Sequence, residues 1–161
     1  MEQAITNSTV LILLAKVGRL DLLDVFKSIY TTSLIRAEIL EGKELPLAEK
    51  NELQEYFTQK IKIENPKRNI FLNIGTGETS ALSLCLEKKI TCFLSDDKKA
   101  RKAADSLSIQ AVGAIGIILR NIQQRKIHKQ EAKNILQKLV ISSYYISTDT
   151  YAKALELIEK S

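Results

Sequence analysis

The chain has 161 residues, of which 45% are hydrophobic and 27% are charged. This composition is typical of a globular protein and excludes intrinsic disorder, collagen and coiled-coil arrays. The longest apolar run, Val10 to Ala15, is too short to cross a membrane, and the chain opens without a signal-peptide pattern. We therefore expect a cytoplasmic protein without membrane association, folded as one domain over residues 1–161.

The net charge of +5 is distributed unevenly along the chain. Between Lys88 and Lys138 there are twelve Lys or Arg residues and four acidic residues, a local charge of +8 that leaves −3 for the remainder. A basic second half favours an anionic partner, with nucleic acid first. A lysine-rich surface that is simply solvated accounts for the same charges equally well, so both interpretations stay open.

The first half of the chain alternates between strand and helix patterns. Gln3 to Asn7 predicts a short buried strand, and Ser8 and Thr9 open a helix that Gly18 ends. The patterns that follow predict a short helix over 21–26, a strand over 28–31, a helix over 33–41 capped by Ser33, a helix over 45–57, an edge strand at Ile61 to Ile63 and a long loop over 64–77.

The second half continues the alternation. A helix over 78–89 precedes a buried strand, Ile90 to Leu94, which Ser95-Asp96-Asp97 closes. The remaining patterns predict a helix over 100–107, a strand over 109–112 and three helices whose apolar faces span 115–122, 132–139 and 151–158. Strands that alternate with helices predict an α/β fold in which a mostly parallel central sheet is covered on both faces.

Polar side chains follow the predicted strands where ligands bind in such sheets. Asn7 ends the first strand and Asp96-Asp97 the fourth, and Glu38 and Glu78 lie on helices that could reach the same edge. Carboxylates that converge there could hold Mg²⁺ or Mn²⁺, because these cations prefer oxygen ligands. Each residue also has an ordinary interpretation: Glu38 as a helix surface residue, and Asp97 as the N-cap of the next helix.

Six segments in order carry a resemblance to a known family. They are Asn7 to Ile12, Ala15 to Leu20, Ala37-Glu38 with Leu40, Gly77-Glu78 before Ala81-Leu82, Asp96-Asp97 with Ala100-Arg101, and Gly113 to Leu119. On these motifs the chain resembles PIN-domain proteins, in the branch related to VapC toxins, from about Ile5 to Leu155. The resemblance implies a three-layer α/β/α fold.

The resemblance also implies an activity and a site. PIN-domain toxins cut RNA with Mg²⁺ or Mn²⁺, which lowers the pKa of a bound water and stabilises charge on the phosphate. Toxin members are covered by a small cognate antitoxin and commonly form homodimers. Carried over by motif, the metal ligands are Asn7, Glu38, Asp96 and Asp97, the catalytic residues are Glu38, Glu78, Asp96 and Asp97, and the RNA-binding residues are Ser8, Thr9, Lys98, Lys99, Arg101 and Lys102.

Two positions depart from the family pattern, which has acidic residues where this chain has Asn7 and Ser80. Our leading interpretation is a metal-dependent endoribonuclease that resembles the toxin of a type II toxin–antitoxin pair. The alternative is a catalytically impaired PIN-fold module that binds RNA or another protein. Hydrolysis of DNA instead of RNA also stays open, because similar metal chemistry serves both substrates.

Overall fold

The structure, a computed structural model, describes residues 1–142 and 146–161. Its centre is a sheet of five strands, β1 (Gln3–Thr6), β2 (Ser28–Thr31), β3 (Ile61–Ile63), β4 (Cys92–Leu94) and β5 (Gln110–Val112). The strand order is β3-β2-β1-β4-β5, and every pairing is parallel. The predicted parallel sheet is confirmed, and Ile61–Ile63 forms the edge strand that its alternating pattern indicated.

Helices connect the strands and cover the sheet. They are α1 (Ser8–Lys16), α2 (Ser33–Glu41), α3 (Leu47–Gln59), α4 (Thr76–Lys88), α5 (Lys98–Ser106), α6 (Ala114–Gln123), α7 (Lys129–Ile141) and α8 (Thr148–Lys160). The short helix expected after Gly18 is a 3₁₀ helix, Leu20–Val25. No helix within the described ranges is long and apolar enough to cross a membrane.

Local hydrogen bonds explain where the observed ends differ from the expected ones. Thr32, not Ser33, caps α2, because its hydroxyl accepts the Ile35 N–H at 3.4 Å. The predicted strand at Ile90 begins only at Cys92, because the Ile90 N–H still bonds the Cys85 carbonyl at the end of α4. Gly18 has φ +69°, a left-handed conformation that favours glycine and turns the chain after α1.

Both faces of the sheet are buried. In β4, Cys92, Phe93 and Leu94 are at most 2% exposed. Successive residues of a strand point to opposite faces, so continuous burial means that helices cover both sides. The fold therefore has three layers, α/β/α, as the resemblance implied.

The two cysteines contribute to this core as free thiols. Cys85 and Cys92 are buried and form no disulfide, as their apolar surroundings indicated. Burial raises the pKa of each thiol to about 12, so both stay protonated at neutral pH. They act as small apolar side chains rather than as nucleophiles or metal ligands.

The strand order creates one special position. From β1 the chain builds β2 and β3 on one side, then crosses to add β4 and β5 on the other. The carboxyl ends of β1 and β4 are therefore neighbours at the point where the order reverses, and in open α/β sheets ligands bind in the crevice outside such a point. The residues that follow these two strands begin at Asn7 and Ser95.

We expect Phe93→Ala to lower the free energy of unfolding by about 3–5 kcal/mol, because it leaves a cavity at a side chain with no exposed surface. The matched control is Phe71→Ala, at a phenylalanine that is 101% exposed, which should change stability by less than about 0.5 kcal/mol. Urea denaturation of both variants measures the difference. Equal losses would contradict the described packing of β4.

Candidate active site

A hydrogen-bond network joins the ends of β1 and β4 across the switch point. The Asn7 side-chain Nδ2 donates to Ser95 Oγ at 3.1 Å, and the same hydroxyl oxygen accepts the Asp97 N–H at 3.1 Å. Asn7 and Ser95 are both 0% exposed. A buried polar network of this kind fixes the orientation of its members, so Asn7 acts on Asp97 through Ser95.

The Asn7 side chain points into the protein. Its Oδ1 accepts the Ser8 N–H at 2.7 Å at the start of α1, where Asn7 is the N-cap. The geometry thus gives the amide a positioning role. The expected role of Asn7 as a metal ligand stays a prediction.

Ser8 and Thr9 lie beside this network. Ser8 is 7% exposed, and Thr9 Oγ1 accepts the Asp96 N–H at 3.0 Å. Thr9 therefore holds Asp96 much as Ser95 holds Asp97. Their expected contacts with RNA are untested, and the bond that the structure gives the Thr9 hydroxyl is internal.

Asp97 and Glu78 share one cleft. We call it the acidic cleft; it has a volume of about 330 Å³ and is lined by Asn73, Ile74, Gly75, Glu78, Asp97 and Lys99. Asp97 is the N-cap of α5, as its ordinary interpretation predicted, with Oδ2 accepting the Ala100 N–H at 2.8 Å. The cap uses one carboxylate oxygen and leaves Oδ1 for a partner in the cleft.

Asp96 points to a different cleft. Its Oδ2 accepts the Ala114 N–H at 2.9 Å and so caps α6, whose N-cap Gly113 has no side chain to do so. A Cβ at residue 113 would overlap with Asp96 Oδ1, which is why glycine is required there. This α6 cleft, of about 560 Å³, also contains Lys98, Arg101 and Arg120. Of the two aspartates, the structure brings Asp97 together with Glu78.

The two glutamates approach each other at the first turn of α4. Glu78 is the third residue of α4, and its carboxylate folds back so closely that a Cβ at Gly75 would overlap with it. Glu38 is exposed on α2, and its Oε1 lies 3.3 Å from where a Cβ would stand on Gly77. Glu38 thus reaches the residue that precedes Glu78.

Ser80, the other departure from the family pattern, is buried away from both clefts. Its hydroxyl lies 2.7 Å from Thr32 Oγ1 and donates to the Gly77 carbonyl at 2.7 Å. Ser80 is 1% exposed, so it links α4 to the start of α2. A neutral pair of hydroxyl groups occupies this position, and Glu78 supplies the carboxylate of this turn.

The expected basic residues divide between the two clefts. Lys99 lines the acidic cleft, whereas Lys98 and Arg101 line the α6 cleft. The Lys98, Lys99 and Lys102 side chains are exposed, and Arg101 Nη1 donates to the Ser95 carbonyl at 2.8 Å. Arg101 therefore supports the turn after β4, while the three lysines are accessible to a polyanion.

The donor set of the acidic cleft fits a hard cation. In residues 1–142 and 146–161, no group of three or more His, Cys, Asp or Glu side chains forms a metal cluster. Mg²⁺ does not require one, because it commonly binds one or two carboxylates, several waters and substrate phosphates. Glu78 and Asp97 provide such a pair. With so few charged ligands, the protein alone would hold the cation weakly.

The fold and cleft define a doubly wound α/β protein with an acidic site at its switch point, and the family follows from comparison. Residues 3–160 match the family model DUF3368, described as a PIN domain, and the chain belongs to the PIN domain family. PIN domains are generally nucleases, and they typically use divalent metal ions.

Individual relatives are remote. A PilT N-terminus domain protein from the hyperthermophilic archaeon Sulfolobus solfataricus is similar in structure, with a TM-score of 0.46 and 12% identity over 90% of this chain and 97% of that one. No curated protein matches the chain.

Sequence reasoning missed two residues of this site. Ser95 directly precedes the aspartates, and a hydroxyl at the end of a buried strand was the available signal. Asn73 lines the acidic cleft from the long loop, where no periodic pattern marks a residue as functional.

We expect Asp97→Ala to lower the free energy of unfolding by about 1 kcal/mol, because it removes the N-cap of α5. Asp97→Asn should change stability little, since asparagine caps helices as well as aspartate does. Thermal unfolding of both variants measures this difference. Equal destabilisation by both would show that the Oδ2 to Ala100 N–H bond does not hold in solution.

Proposed function

We propose that the chain is an endoribonuclease that hydrolyses RNA phosphodiester bonds at the acidic cleft with Mg²⁺ or Mn²⁺, like the toxin of a type II toxin–antitoxin pair. The observation that carries this proposal is the placement of Glu78 and Asp97 in one cleft at the switch point, beside Lys99. Membership of the PIN family supports it, because PIN domains are generally nucleases.

The residues of the cleft have distinct roles in this proposal. Glu78 and Asp97 would hold the cation, with Glu38 close to the same helix turn. Ser95 and Asn7 hold the backbone of Asp97 in place. When bound, the cation would acidify a water molecule and stabilise charge on the phosphate. Lys99 would attract the phosphate to the cleft.

RNA is the proposed substrate because of charge. The exposed lysines of α5, Lys98, Lys99 and Lys102, lie around the two clefts in a chain of net charge +5. Each lysine that neutralises a phosphate releases a counterion, which favours binding of a polyanion at low salt. The same charges would attract DNA, so the choice of RNA depends on the likeness to toxins.

The biological setting is also part of the proposal. A small cognate antitoxin would cover the acidic cleft, the chain would form a homodimer, and both would act in the cytoplasm as one-domain proteins. The sequence likeness to VapC toxins supports this setting, and the match over residues 3–160 supports the single domain.

A second function is favoured by Asn7 and Ser80. Both are neutral, buried and bonded to neutral partners, which lowers the negative charge at this edge of the sheet. Lower charge weakens cation binding and reduces repulsion of RNA. A PIN-fold module that binds RNA or a protein without cutting RNA would show these features. Binding without cleavage at every Mg²⁺ and Mn²⁺ concentration would establish it.

The leading function predicts that Glu78→Gln and Asp97→Asn each reduce cleavage of a mixed RNA pool in Mn²⁺ by at least about 10- to 100-fold, the loss typical even of residues that only support metal ligands. Asp96→Asn is the matched control. Its oxygen can still cap α6, and its side chain faces the other cleft. We therefore expect it to keep most of the activity.

Binding of labelled RNA in the presence of EDTA checks that each variant still engages the substrate. Full activity in Glu78→Gln and Asp97→Asn would exclude the acidic cleft as the site. A loss in Asp96→Asn as deep as in Asp97→Asn would show that the two clefts do not separate the roles of these residues.

Restoring the family carboxylate at residue 7 tests whether this position faces a cation. We expect Asn7→Asp to lower the melting temperature in EDTA, because it buries a charge without a counter-charge. Mn²⁺ should raise the melting temperature of this variant more than that of the parent. Calorimetric titration with Mn²⁺ should show higher affinity in the variant.

Asn121→Asp is the matched control, since Asn121 is 2% exposed and donates to the Leu22 and Ile117 carbonyls, away from the acidic cleft. It should lose stability in EDTA and recover none of it with Mn²⁺. If Asn7→Asp behaves in the same way, residue 7 has no access to the cation.

A further inference from the structure

Phe71 is an aromatic residue that takes no part in the core. Its side chain is 101% exposed, on the loop between β3 and α4. A phenylalanine in this position does not stabilise the fold by burial. The loop that carries it is nevertheless held firmly against the protein.

Two backbone bonds tether this loop to α4. The Ile70 N–H donates to Ser83 Oγ at 2.9 Å, and the Lys67 N–H donates to both carboxylate oxygens of Glu87, at 2.8 and 2.9 Å. The backbone next to Phe71 is therefore fixed by Ser83, a side chain that is itself 1% exposed. An exposed ring on a fixed backbone is prepared for a partner at little entropic cost.

The burial pattern directs Phe71 and Asn73 to the same side. Leu72 and Ile74 are partly buried and pack against the core, whereas Phe71 and Asn73 are exposed. Residues two apart in an extended segment stand roughly 7 Å from each other. Since Asn73 lines the acidic cleft, Phe71 lies at its rim.

We propose that Phe71 is a stacking platform for one base of single-stranded RNA whose adjoining phosphate enters the acidic cleft. This inference rests on the proposed binding of RNA, and it identifies the substrate as single-stranded. Proteins that bind single strands combine exposed aromatic rings with basic side chains that follow the backbone. Here the exposed Lys67 and Arg68 precede the ring, and Lys99 lies in the cleft.

The chain offers a direct probe of stacking because it contains no tryptophan. Phe71→Trp introduces a single indole at the proposed platform, and its fluorescence should be quenched when a single-stranded RNA oligomer binds. Leu47→Trp is the matched control, since Leu47 is 73% exposed at the start of α3. Its fluorescence should not respond to the oligomer.

Affinity is measured in EDTA by anisotropy of the labelled oligomer, so that cleavage does not interfere. We expect Phe71→Ala to weaken binding roughly 5- to 150-fold, the loss typical of one stacked base. Phe71→Trp should bind as well as the parent, and Phe71→Leu should bind as weakly as Phe71→Ala. The affinity for double-stranded RNA should be the same in all of them, because its bases are already stacked.

Equal binding of single strands by Phe71→Ala and the parent would overturn the stacking role and leave RNA binding intact. Full binding by Phe71→Leu would also overturn it, because an apolar contact, as with a protein partner, would then suffice. If the parent binds no RNA, both the stacking role and the proposed function fail.

Discussion

The buried bond between Asn7 and Ser95 is the contact on which the candidate site depends. It joins the ends of β1 and β4 at the one place where the strand order reverses. Removing either partner would leave a buried polar group unsatisfied, at a cost of about 1–3 kcal/mol. Because Ser95 also accepts the Asp97 N–H, the same bond sets the direction of the candidate carboxylate. An amide at residue 7 can thus organise the site without contributing charge to it.

Two consecutive aspartates have been separated by this geometry. Asp97 caps α5 and faces Glu78, whereas Asp96 caps α6 and lies with Arg101 in the other cleft. Each side chain therefore holds a helix start and can meet a ligand as well. For Asp97 this couples stability to cation binding, since the cap and the cation would use different oxygens of one carboxylate. Fold and candidate function are linked at the same atoms.

Most of the fold could be predicted from the pattern of the chain. The continuous apolar run before Ser95 indicated a strand buried on both faces, and the helix over 33–41 matches its predicted range. The ends of elements were less predictable. Ile90 was expected in β4, yet its N–H completes the end of α4 instead, a competition between hydrogen bonds that no local pattern reveals. The family motifs likewise located Glu78 and the aspartate pair, but could not say which aspartate faces the glutamate.

The sequence by itself determined the class of fold, the PIN family and the residues that could carry charge at the edge of the sheet. Periodicity and motif order are local properties, so a single chain is enough to read them. Only the tertiary structure decided that Asp97 shares a cleft with Glu78, that Ser80 pairs with Thr32, and that Phe71 stands exposed beside Asn73. These outcomes depend on which helix packs against which strand end. Contacts between residues far apart in the chain set them, and neighbouring residues do not encode such contacts.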